Sequence, residues 1–223
     1  MKNVLEVDSI QKCVNKNFSL SDIYLRCETG DVLGIFGRNG SGKSILLKII
    51  FGKENADHKF IRINNQLLKT AYKKTDTIVY LPQNSFLPKN LSVKKILNLY
   101  FDRKTVEAIL EDEFLETMYL SKISELSGGE LRYLEIKLLL KSTAKFVLLD
   151  EPLNALSPIL REKVIRLIAS EKTSKGIIIT DHDFSNLSSI TTQNYLMNNG
   201  SLKKIKGIED FVLLNYLPKS YTL

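Results

Sequence analysis

Residues 37–44 read GRNGSGKS, the stretch of this chain whose chemistry is most legible. Gly37, Gly40 and Gly42 free the backbone to wrap, so that successive N–H groups converge on one anion. The apolar run 32–36 precedes the loop and a helical pattern follows it. That is the strand–loop–helix setting a phosphate cradle needs, with the positive end of a helix behind it. Lys43 is placed to reach the β- and γ-phosphates of a nucleotide and Ser44 to offer its hydroxyl to Mg²⁺, while Arg38, Asn39 and Ser41 complete the loop. A second element, FVLLDE at 146–151, is an apolar strand ending in two carboxylates. Ligands of parallel sheets sit at strand C-termini, which brings both acids beside the loop. Asp150 would then hold Mg²⁺ through water, and Glu151 would polarise an attacking water as general base. The third element is LSGGE at 126–130. Ser127 and Glu130, three apart, suit a capping box. Gly128 and Gly129 weaken a first helical turn, and make sense where a phosphate comes close to the backbone and receives hydrogen bonds from Ser127 and the N–H groups.

These residues need a scaffold that presents strand ends together. Near-continuous apolar runs at 32–36, 77–81, 146–149 and 177–180 read as strands buried on both faces of a parallel sheet. Further strands are expected at 4–7, 18–25 and 60–63. Helical patterns at 44–51, closed by Gly52, and at 131–140 lie between strands, which argues an α/β core. Asn198-Asn199-Gly200, flanked by 195–197 and 201–206, reads as a hairpin turn. The segment 85–125 differs: Ser92 can cap a helix at 93–100, a second helical pattern spans 104–118, and no buried strand is legible. It reads as a small helical insert.

Composition bounds the rest. With 223 residues, 43% of them hydrophobic and 26% charged, the chain can bury one full core, and disordered or fibrous classes do not fit. No run approaches the 18 or so apolar residues of a spanning helix, and Glu6 and Asp8 interrupt any secretory core, so a chain that does not cross the membrane is expected. Two cysteines, Cys13 and Cys27, make no disulfide framework and suit a reducing cytosol. A net charge of +7 favours an anionic partner, and a lysine-coated solvated surface also explains it.

Taken in order, GRNGSGKS, LSGGE, FVLLDEP and Thr180-Asp181-His182 resemble the ATP-binding cassette ATPases, in which LSGG is close to diagnostic among phosphate-loop proteins. The resemblance covers essentially the whole chain, from Leu5-Glu6-Val7, similar to the family's first strand, to 197–207, similar to its terminal hairpin. It implies an α/β fold: a RecA-like core of parallel strands (1–84 and 126–223), an N-terminal antiparallel β region, and an all-helical subdomain at 85–125. It also implies ATP with Mg²⁺. Gln83, in Tyr80-Leu81-Pro82-Gln83, would contact Mg²⁺ and the attacking water, and link nucleotide state to the insert. His182 would contact the γ-phosphate, and Ser127, Gly128 and Gly129 would meet the nucleotide of a second subunit. Two positions depart from the pattern: Val14 stands where the family stacks an aromatic ring on adenine, and Ser157 where the loop after Glu151 ends in aspartate. The insert is also shorter than the family's. The implied assembly is a head-to-tail dimer, most simply of two copies, docked through separate transmembrane permease subunits on the cytoplasmic face, with no direct nucleic-acid partner. A free-standing cassette acting on nucleic acid, ribosomes or cofactor assembly is the alternative, whereas a phosphate-loop kinase leaves LSGGE unexplained.

Overall fold

The computed structural model describes residues 2–68, 76–218 and 220. The chain begins with β1 (Val4–Asn15), β2 (Phe18–Glu28), β3 (Val32–Phe36), α1 (Lys43–Phe51), β4 (His58–Ile63), β5 (Gln66–Leu67) and β6 (Ile78–Leu81). Helices α2 (Val93–Tyr100), α3 (Arg103–Leu110), α4 (Glu113–Thr117) and α5 (Gly128–Lys141) follow. Then come β7 (Phe146–Asp150), α6 (Pro158–Glu171), β8 (Gly176–Asp181), α7 (Phe184–Leu187), β9 (Gln193–Asn198), β10 (Ser201–Ile205) and α8 (Ile208–Leu213).

Six strands form one sheet in the order β10-β9-β3-β8-β7-β6. β3 is parallel to β8 and β9, and β7 is parallel to β8 and β6. The C-terminal ends of β3, β6, β7 and β8 therefore leave along one edge of the sheet. A second, antiparallel sheet has the order β2-β1-β4-β5. This is the mixed α/β architecture expected, with an antiparallel N-terminal region beside a parallel core.

Successive side chains of a strand point to opposite faces. Leu33, Ile35, Phe146, Leu148 and Ile178 enter one core, shared with α1 and the antiparallel sheet. Val32, Phe36, Val147, Leu149, Ile177 and Ile179 enter the other, shared with α5 and α6. Two covered faces demand an unbroken apolar run, and that demand is what makes these strands readable in the sequence. The β9–β10 hairpin turns through Asn199 (φ 46) and Gly200 (φ 78), both left-handed as a two-residue hairpin requires. A Cβ on Gly200 would collide with the Ser19 carbonyl oxygen, so only glycine fits.

The helical stretch departs from expectation at one point. Ser92 caps α2, accepting from Lys95 N at 3.3 Å. The single helix expected over 104–118 is two, α3 and α4, divided at Asp112. Asp112 caps α4 and its carboxylate accepts from Lys137 Nζ at 2.6 Å, Lys163 Nζ at 2.9 Å and the Tyr133 hydroxyl. Tertiary partners on α5 and α6 thus override local periodicity. Burial would raise the Asp112 carboxyl, but the hydrogen bonds from Lys137, Tyr133 and Lys163 outweigh it and hold the group well below the usual carboxylate range. Because the folded value is depressed, the stability it contributes is present above about pH 4 and lost as pH falls through the folded value. Asp112→Ala is expected to cost about 2–3 kcal/mol at pH 7 by stranding Lys137 and Tyr133 without their acceptor. Urea unfolding measures this, and the gap from wild type should narrow below pH 4. Helix α6 stands outside the sequence expectations, although Ser157 accepts from Leu160 N at 3.3 Å and Pro158 opens the first turn, a recognisable N-cap signature.

Candidate active site

The loop after β3 is held open by its glycines. Gly40 (φ 81) and Gly42 (φ 106) are left-handed, and a Cβ on Gly42 would lie 2.6 Å from Leu20 Cδ2 and 3.1 Å from Phe18 Cζ. Lys43 starts α1 and is 4% exposed. Its Nζ donates to Gly37 O at 2.6 Å and to Arg38 O at 3.3 Å. Burial lowers the Lys43 pKa, opposed by the carboxylates of Glu151, Asp150 and Asp181. The Ser41 hydroxyl is buried with no hydrogen-bond partner among the described residues. A buried donor left over in a glycine-lined loop at a helix N-terminus fits an anionic ligand.

Three other strand ends deliver acids and amides to this loop. Asp150, 1% exposed, accepts from Ser44 Oγ at 2.9 Å and Thr180 Oγ1 at 2.8 Å on one oxygen, and from the Tyr80 hydroxyl at 3.0 Å on the other. Burial first, and then Asp150, push the Tyr80 phenol pKa up, so this donor stays protonated. Gln83, just after β6, donates from Nε2 to Ser44 Oγ at 3.3 Å. Glu151 has φ 46, and its backbone N–H donates to Thr180 Oγ1 at 3.1 Å. Its carboxylate accepts from Asn154 Nδ2 at 2.7 Å and lies 3.9 Å from Lys43 Nζ. A left-handed glutamate costs about 1–2 kcal/mol, and such strain persists where surrounding structure over-determines it. His182 follows β8, with its side chain 46% exposed and Nδ1 3.5 Å from Asp181 Oδ1.

The arrangement joins Ser44, Gln83 and Asp150 by hydrogen bonds and sets the Glu151 carboxylate 3.9 Å from Lys43 Nζ. Ser127 immediately precedes Gly128, which helps to line a cleft of ≈ 640 Å³ together with Asn39, Gln83 and Glu151. Its hydroxyl accepts from Glu130 N at 3.3 Å and its N–H donates to Glu130 Oε2 at 2.7 Å, the expected capping box. A Cβ on Gly128 would meet nothing within 4 Å, and one on Gly129 would make only ordinary contact at 3.4 Å. Packing within this chain therefore does not require either glycine. Val14 lies half-buried on β1, while Phe18 lines a different cleft of ≈ 470 Å³ with Arg38, Asn39, Gly40 and Ser41.

Several contributors escape the sequence. Arg132, 7% exposed, donates to Pro82 O at 2.6 Å, Asp150 O at 2.7 Å and Glu151 O at 3.3 Å. Glu135, 1% exposed, lies 3.7 Å from that guanidinium and accepts from Phe86 N at 2.9 Å. Together they bracket Gln83 from both sides. The available signal was a pair of opposite charges three apart on the apolar pattern 131–140, and single hydroxyls, Tyr80 and Thr180, at the ends of apolar strands.

Comparison with known proteins gives the family and the fold. A family model described as ABC transporter matches residues 20–154. The lipopolysaccharide export system ATP-binding protein LptB of Haemophilus influenzae is 28% identical over 214 residues, covering 90% of this chain and 89% of its own. ABC transporter A family member 11 of Dictyostelium discoideum is 29% identical over 198 residues, and this chain spans 24% of that protein's length. A nucleotide-free ATP-binding cassette from an ABC transporter superposes with a TM-score of 0.80 at 25% identity, over 97% of this chain and 96% of that one. The family model spans more than half of this chain, which therefore belongs to the ABC transporter ATP-binding family.

Proposed function

We propose that this chain is the ATP-binding and ATP-hydrolysing subunit of an ABC transporter, and that ATP drives two cassettes together head to tail. The convergence of Lys43, Ser44, Gln83, Asp150 and Glu151 at one sheet edge carries the reading. In it, Gly37, Arg38, Asn39, Gly40, Ser41, Gly42, Lys43 and Ser44 grip the triphosphate. Ser44 and Asp150 offer hydroxyl and carboxylate oxygens within one cluster, and Gln83, whose amide nitrogen donates to Ser44, carries an amide oxygen beside them, a donor set that suits Mg²⁺. They would hold that ion, whose charge neutralises the β- and γ-phosphate oxygens. The Glu151 carboxylate takes the proton of the water that attacks the γ-phosphorus, as the bond to the ADP oxygen breaks. His182 contacts the γ-phosphate. Ser127 and Gly129 donate to the ATP held by the other cassette, so each site is completed by two chains.

Residues 1–84 and 126–223 act as the catalytic core and 85–125 as a helical subdomain. No helix of the described residues is long and apolar enough to cross a membrane, and the reading assigns the transport path to separate permease subunits on whose cytoplasmic side this chain sits. Leu99 is 66% exposed and borders, with Phe86, Tyr100 and Phe101, a cleft of ≈ 470 Å³ beside β6. That apolar surface suits a permease segment.

Steady-state hydrolysis tests the reading. Turnover is expected to need Mg²⁺ and to rise, per chain, with chain concentration, because two chains build each site. ATP and GTP should have KM values within about tenfold, since Val14 supplies no ring and the grip falls on phosphates common to both. A rate per chain independent of concentration contradicts the two-chain site. A hundredfold preference for ATP would instead point to a base-reading ring, with Phe18 the first to replace by alanine.

A further inference from the structure

The segment after α8 folds back over two catalytic loops at once. Asn215, left-handed at φ 56, turns the chain, and its carbonyl accepts from Arg38 Nη2 at 3.4 Å. The next residue, Tyr216, is anchored through its backbone N–H to Phe211 O at 2.8 Å, and its hydroxyl donates to the His182 carbonyl oxygen at 2.6 Å. Four rings support that hydroxyl. Tyr216 packs on Phe211 at 5.5 Å between centroids, Phe211 on Phe36 at 5.6 Å and on Phe184 at 4.8 Å, and Phe36 on Phe184 at 5.2 Å. Phe36 immediately precedes the phosphate loop and Phe184 lies two residues after His182. The ring cluster therefore ties the entrance of one loop to the exit of the other.

His182 is the only residue between the end of β8 and the N-cap of α7, so its backbone has little support from regular structure. Asp183 N–H donates to Asp181 Oδ1 at 2.9 Å across it, and the Tyr216 hydroxyl donates to the His182 carbonyl. We propose that Tyr216 is a positioning residue for hydrolysis, holding the His182 backbone at a set distance from the phosphate loop so that the imidazole faces the γ-phosphate. This rests on the reading of His182 as the γ-phosphate contact. Burial pushes the Tyr216 phenol up to about 12, with the Gly37 backbone N–H pulling the other way, so the hydroxyl remains a donor throughout the working pH range. The hydroxyl also faces the Gly37 backbone N–H, so it links the His182 carbonyl directly to the start of the phosphate loop.

Four variants of the full chain test this by steady-state ATPase kinetics. Tyr216→Phe keeps the ring and removes one oxygen. It is expected to lower kcat about 3- to 10-fold, the cost of one hydrogen bond felt in the transition state, with KM for ATP within about twofold of wild type. His182→Ala should lose at least about 100-fold. Adding Tyr216→Phe to His182→Ala should bring a much smaller further loss, because the tyrosine then has no imidazole to position. Phe211→Leu, which loosens the rings and keeps the hydroxyl, should lower the melting temperature more than Tyr216→Phe does and lower kcat less. Unchanged kcat in Tyr216→Phe, an equal loss in both His182 backgrounds, or a kcat loss in Phe211→Leu matching that of Tyr216→Phe would each overturn the proposal. Wild-type turnover in His182→Ala would overturn the reading beneath it, a result distinct from the failure of Tyr216 alone.

Discussion

Lys43→Ala is expected to abolish detectable ATP turnover and to weaken ATP binding about 10- to 100-fold in nucleotide titrations. The lysine is buried inside the loop, where its Nζ is held by the carbonyls of Gly37 and Arg38. On nucleotide binding it would exchange those carbonyls for phosphate oxygens, a charge-assisted contact of about 1.5–3 kcal/mol. The loss exceeds one missing contact. Asp150, Glu151 and Asp181 all bear on Lys43, and without its charge three carboxylates face the incoming phosphates unopposed. Lys43→Arg should not rescue turnover, because a planar guanidinium does not fit a space shaped for one ammonium. Wild-type affinity in the alanine variant contradicts the assignment of the loop.

Glu151→Gln separates binding from chemistry. Glutamine keeps the shape and can still accept from Asn154 Nδ2, now 2.7 Å from the carboxylate, but it cannot take a proton from water. Turnover is expected to fall about 10²- to 10⁴-fold while Mg-ATP binding persists. Trapped ATP should then accumulate a dimer that light scattering detects. A variant that stays monomeric at high concentration in saturating ATP counts against the sandwich. The contact from Asn154 gives the loop after Glu151 a direct hold on that carboxylate, and Ser157 supplies the cap that an aspartate would, so the departure there leaves α6 properly started.

The phosphate loop, the strands that carry it and the capped helix behind Ser127 were determined by the sequence itself, because each rests on local rules. Glycine spacing licenses left-handed turns at Gly40 and Gly42, unbroken apolar runs mark strands covered twice, and Ser127 with Glu130 closes a box within one turn. The order of the motifs identified the family for the same reason, since it needs no knowledge of which strand lies beside which. What the tertiary structure alone decided are contacts between residues far apart in the chain. Tyr80 and Asp150 are 70 positions apart, and Tyr216 and His182 are 34 apart. Asp112 reads as part of a helix until Lys137 and Lys163 arrive from α5 and α6 to claim its carboxylate. Arg132 looks like one more surface cation on a helix, yet it is buried on the backbone carbonyls of Pro82, Asp150 and Glu151. A charged or hydroxyl side chain carries no mark of its partner, and only the packing of the sheet against α5, α6 and the C-terminal segment removes the water that would otherwise satisfy it.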